Sequence, residues 1–105
     1  MQTLTFQHAA AGRAAGTRTQ AIEGVVASGN LEVLVERVLA ETQCAVEIHT
    51  PVEGFDAVWA EVTADFAEAH PAGGLRFSIN DMGARPDTVA LRLAQALRLI
   101  AEPTP

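Results

Sequence analysis

The chain has 105 residues, of which 49% are hydrophobic and 19% charged, so it can bury one core of its own and is not a disordered tail. Seven basic residues, all arginine, face thirteen acids for a net charge of −6; this excludes lysine chemistry (Schiff bases, biotinyl or lipoyl attachment, phosphate-binding loops) and argues against nucleic acid as a partner. No apolar run approaches the roughly 18–20 residues that span a bilayer, and the single cysteine, Cys44, excludes an internal disulfide framework and suits a reducing, cytoplasmic setting.

In chain order, Leu4 and Phe6 alternate with Thr3, Thr5 and Gln7. This reads as a short strand, although the acid-free first 22 residues resemble a transit peptide in composition. Residues 9–19, with Gly12 and Gly16, read as a mobile connection. Residues 20–36 carry the clearest β signal. Two β-rich runs flank Ser28-Gly29-Asn30 and predict a hairpin. Gly29 and Asn30 are the residues expected at φ > 0, which puts Ser28 at the apex with its hydroxyl in solvent. Gly24 suits a bulge or a close backbone approach.

After a link at 37–43, Cys44, Val46 and Ile48 alternate with Ala45, Glu47 and His49, a strand with one buried face. Phe55, Val58, Trp59, Val62 and Phe66 recur at spacings of three and four, the apolar stripe of a helix. Two starts are open. One is a capping box at Thr50-Pro51-Val52-Glu53; the other lies near Asp56, because Gly54 is a poor interior residue. Leu75, Phe77 and Ile79 form a further strand, and Asp81 to Arg85 a turn. Pro86 opens a last helix with its stripe at Val89, Leu93, Leu97 and Ile100. Residues 102–105 read as a frayed tail. The whole predicts a single α+β domain, a mainly antiparallel sheet with both helices on one face.

Chemistry has few candidates. His8, His49 and His70 are far apart and lack metal-ligand spacing. Cys44 falls on the core side. Asp81 reads as a turn residue. Ser78 is mid-strand, between Arg76 and Asn80, and suits a cross-strand hydrogen bond. A chain this small is expected to have no enclosed pocket. That leaves Ser28, whose exposed apex is where a modifying enzyme can reach a hydroxyl and a covalent group can swing free.

The run from Gly24 to Leu34, Gly-Val-Val-Ala-Ser-Gly-Asn-Leu-Glu-Val-Leu, resembles the acyl carrier (delta) subunit of biotin-independent malonate decarboxylase. Leu4-Thr5-Phe6, Trp59, the stretch from Asn80 to Pro86, and Leu91-Arg92-Leu93 also match. The resemblance implies a non-catalytic carrier, with no catalytic residue and no metal of its own. It implies a 2′-(5″-phosphoribosyl)-3′-dephospho-coenzyme A arm joined to Ser28 through a phosphodiester, its thiol carrying acetyl or malonyl between transferase and decarboxylase subunits. It implies two further partners, a prosthetic-group transferase and a malonyl transferase. Asn30 stands where that family usually has aspartate. Glu23, Glu32 and Glu36 flank the hairpin and either steer it toward basic active-site mouths or only solubilise the sheet.

Three other readings are carried alongside. A citrate lyase-type carrier would use the same arm on another substrate. A small α/β ligand-binding or regulatory module would have no covalent group. A hydrolase built on Ser78 or Asp81 lacks an adjacent base.

Overall fold

The computed structural model describes residues 1–103; Thr104 and Pro105, the end of the expected tail, lie outside the described residues. The chain runs β1 (Gln2–Ala9), β2 (Gln20–Gly24), β3 (Leu31–Arg37), β4 (Gln43–Thr50), α1 (Asp56–Ala69), β5 (Leu75–Asp81) and α2 (Pro86–Ala101). The five strands form one sheet in the order β1-β4-β5-β3-β2. Three pairings are antiparallel and one, β4 with β5, is parallel. Parallel neighbours need a crossover, and α1 supplies it.

The register explains why the strands alternate. Phe6, Val46, Phe77, Val35 and Ala21 lie in one row across the sheet, and Leu4, Ile48, Ile79, Val33 and Glu23 in the next. Their apolar members belong to a single core with Trp59 and Phe66 of α1 and Val89, Leu93, Ala96, Leu97 and Ile100 of α2. The Phe66 ring meets Phe77 edge-on at 5.3 Å, a favoured aromatic geometry. The opposite face carries Thr3, Thr5, Glu47, His49, Ser78, Asn80, Glu32 and Glu36. The expected α+β architecture is therefore present, with both helices on one face.

Local boundaries differ in instructive ways. Strand β2 stops at Gly24, short of the β-rich Val25-Val26, which run on past the ladder and stay exposed. Helix α1 takes the later of its two starts, with Gly54 at φ +89° just before it. The connection expected to be mobile is fastened to its surroundings. Ala14 is buried in the core; its amide donates to the Gly73 carbonyl, and the Gly73 amide to the Gly12 carbonyl. The Arg37 guanidinium donates to the carbonyls of Arg18, Ala14 and Ala15 at 2.8–2.9 Å. One arginine thereby replaces the ladder that this segment lacks.

Candidate functional site

The hairpin apex is built from its glycines outward. Gly24 has φ +90°, and a Cβ there would collide with the Leu31 carbonyl oxygen, so only glycine fits. Past it, the Val25 amide donates to the same carbonyl at 3.1 Å and closes the ladder. The Asn30 amide donates to the Ala27 carbonyl at 2.9 Å, and Gly29 has φ +74°. A four-residue turn with φ > 0 only at its third position is type II. Ser28 occupies the second position of that turn. It is exposed, and no hydrogen bond ties its hydroxyl to another described residue.

Asn30 does something other than expected. Among the described residues none but glycine has positive φ, so Gly29 alone supplies the left-handed conformation of this turn. Asn30 contributes through its side chain. Its Oδ1 accepts from its neighbour's amide, Leu31 N, at 2.8 Å and from Arg92 Nε at 3.2 Å, and Arg92 Nη1 reaches Gln95 Oε1 at 2.8 Å. The turn is thus braced against α2.

A second brace is main chain alone. The Gly29 amide donates to the Met82 carbonyl at 2.8 Å, and the Met82 amide to the Asn30 carbonyl at 3.0 Å. Met82 is held in turn by Asp81, which is 4% exposed. Asp81 Oδ2 accepts from Thr50 Oγ1 at 2.8 Å and from the Gly83 amide at 3.1 Å, while Oδ1 accepts from the Ala84 amide at 2.9 Å. Both oxygens are engaged in shaping the turn, as the sequence suggests.

Around Ser28 the surface is apolar. Val25, Val26 and Met82 are each about half exposed. The sequence reading assigned the valines to a strand and missed this collar. Their position beyond Gly24 was the available signal. The flanking acids are largely engaged on the sheet: Glu36 pairs with Arg76 at 2.9 Å, Glu32 accepts from Asn80 Nδ2 at 3.3 Å, and Glu23 is half-buried on the helix side.

The remaining candidates disperse. Cys44 is fully buried, and burial pushes its thiol up to about 11, the setting of an inert side chain. His8 bonds Thr63 at 3.0 Å, His49 sits by Thr3 and Glu47 on the open face, and His70 packs on Phe66. Among the described residues no cluster of metal-ligating side chains forms. Ser78 lies on the open sheet face opposite Leu34 and Glu47, and no hydrogen bond joins its hydroxyl to a base among the described residues.

No enclosed pocket is expected, and the structure has an open cleft instead. A cleft of about 320 Å³ opens at the carboxyl ends of β4 and β5, among Val52, Phe55, Val58, Trp59, Ala84 and Val89. Phe55 and Val58 of the expected α1 stripe are 49% and 38% exposed, because they face this cleft rather than the sheet.

Comparison with known proteins adds three findings. A family model described as malonate decarboxylase delta subunit (MdcD) matches residues 18–100. Malonate decarboxylase acyl carrier proteins of Bradyrhizobium diazoefficiens and Xanthomonas euvesicatoria pv. vesicatoria are 61% and 49% identical, over 97% and 95% of both chains. The fold is similar to a chain in the crystal structure of a Pseudomonas malonate decarboxylase hetero-tetramer in complex with malonate, with a TM-score of 0.80 and 33% identity, covering 95% of this chain and 99% of that one.

Proposed function

The chain belongs to the malonate decarboxylase delta-subunit family, the acyl carrier proteins of that decarboxylase, and from that premise we propose that Ser28 is where its acyl cargo is attached. The linkage is a phosphodiester to a 2′-(5″-phosphoribosyl)-3′-dephospho-coenzyme A arm. The arm, when bound, supplies a thiol that holds acetyl or malonyl as a thioester. The carrier is non-catalytic and works in the cytoplasm. Its partners are the transferase and decarboxylase subunits, with a prosthetic-group transferase and a malonyl transferase for loading.

The observation that carries this reading is the exposed Ser28 hydroxyl, unbonded among the described residues, at the second position of a braced turn. The residues fit such a group. The Oγ faces no competing acceptor, Gly29 presents no side chain, and a Cβ added there would meet nothing within 4 Å. Val25, Val26 and Met82 offer an enzyme an apolar rim to hold. Cys44, buried with a raised pKa, does not compete with the arm's thiol for acyl groups. The Arg92–Asn30 contact and the Met82 bonds keep the apex fixed, so the tether alone explores space. A tether of suitable reach holds its cargo at an effective concentration on the order of millimolar.

Intact mass of the protein, produced with its maturation enzymes, tests the reading. One large covalent addition is expected, and peptide mapping puts it on Ser28. An unmodified chain, or an addition on another residue, overturns it. Reconstitution with malonate rather than citrate is expected to turn over.

A further inference from the structure

We propose that the cleft beside α1 is a resting site for the neutral, acetylated end of the arm, and that it excludes the malonylated end. This deepens the reading of Ser28 and rests on it.

Three observations carry the inference. The first is position. The cleft lies outside the carboxyl ends of the parallel pair β4 and β5, bounded by their last residues, Thr50 and Asp81, the end of an open sheet where ligands bind. The second is continuity with the apex. The loop after β5 carries both. Met82 holds Gly29 and Asn30 through its main chain, while Asp81, Gly83 and Ala84 on either side line the cleft. Ser28 is one residue from Gly29, so a tether fastened there starts a few residue lengths, each about 3.8 Å, from the opening.

The third is chemistry. Phe55, at the N-cap of α1, and Val58 fall on its apolar stripe yet are exposed rather than packed into the core, and Val52 and Met82 are also exposed. At about 320 Å³ the space sits at the small end of ligand sites, roughly 300–1,000 Å³. It suits a short acyl group with its thioester and not a nucleotide. The polar side chains inside it are already paired: both Asp81 oxygens are engaged, one of them by the Thr50 hydroxyl, while Arg85 lies at the rim, 82% exposed, with its Nε 3.5 Å from Asp87. A malonyl carboxylate entering would lose hydration without a partner and beside an anion; an acetyl group loses little. The device shelters the acetyl thioester from water between turnovers and leaves the malonyl form extended for decarboxylation.

Trp59 lines the cleft, is 6% exposed, and is the only tryptophan in a chain without tyrosine, so the tryptophan emission comes from a residue at the wall of this space. Protein bearing the arm, verified on Ser28 by mass, is compared as unmodified, S-acetyl and S-malonyl forms. Acetylation is expected to reduce acrylamide quenching of Trp59 about twofold, because a pocket buries most of its ligand, and malonylation to leave it as in the unmodified form. Val89→Phe, which fills the cleft, and Val58→Glu, a milder change at its exposed wall, should each abolish the acetyl response while the mass still shows the arm. Equal quenching in all three forms, or an equal response to both acyl groups, overturns the inference even with the arm in place. If the mass shows no arm, the Ser28 reading fails. The cleft is then tested with free S-acetyl-N-acetylcysteamine on the unmodified protein, where absence of a saturable change in Trp59 emission sinks it independently.

Discussion

At the scale of single residues, Ser28 and Gly24 make opposite demands on the fold. Ser28 touches nothing that holds the protein together. Ser28→Ala should therefore abolish covalent loading, seen by mass, while thermal unfolding moves by less than about 0.5 kcal/mol. Gly24 is the reverse, since its positive φ and the Leu31 carbonyl leave no room for a Cβ. Gly24→Ala should destabilise by about 2 kcal/mol or more, read as a lower denaturation midpoint. Cys44 adds a dependence on alkaline pH. Its folded pKa of about 11 lies above the ordinary 9.0, so the fold favours the neutral thiol. That contribution is whole below pH 9 and is lost as pH rises toward 11; Cys44→Ala should flatten the decline in chemical denaturation across that window. The exposed turn position of Ser28 was legible in the sequence because turn chemistry is local. The role of Asn30 was not, because its partner Arg92 is 62 residues away.

At the scale of elements, the apex depends on α2. Removing the guanidinium in Arg92→Ala leaves Asn30 Oδ1 with only the Leu31 amide. Slower loading of Ser28 by the maturation enzymes is expected, with little change in secondary structure by circular dichroism. Asn30→Asp should load at least as fast, since a carboxylate accepts the same two bonds and pairs with Arg92. Periodicity found both helices and the hairpin. It misjudged α1, whose stripe mixes two environments: Trp59 and Phe66 meet the sheet, while Phe55 and Val58 line the cleft. A hydrophobic pattern records which side chains avoid water, not which neighbour they find.

At the scale of the whole molecule, two long-range ties hold the peripheral pieces. His8 on β1 bonds Thr63 on α1, and burial lowers its pKa. A lowered histidine favours the neutral form in the fold, so its contribution is present above the ordinary 6.5 and is lost as pH falls below it. Stability should decline between pH 7 and 5, less so in His8→Gln. Arg37 clasps the 9–19 segment and reaches the Ile100 carbonyl at 3.5 Å. Arg37→Met should cost about 1–3 kcal/mol, the scale of stranded partially buried carbonyls, and should open that segment to proteolysis. Composition gave no hint of this order, because a run of Ala, Gly and Thr has no pattern of its own and borrows its shape from an arginine elsewhere.

The two amide–carbonyl bonds that join the Gly29–Asn30 pair to Met82 carry a wider implication. They are made by atoms that every residue possesses, so this part of the loop's contour is written in a script that most substitutions cannot edit. An enzyme that recognises the contour rather than the lettering would accept drift at neighbouring positions, the exchange of an acid for its amide among them.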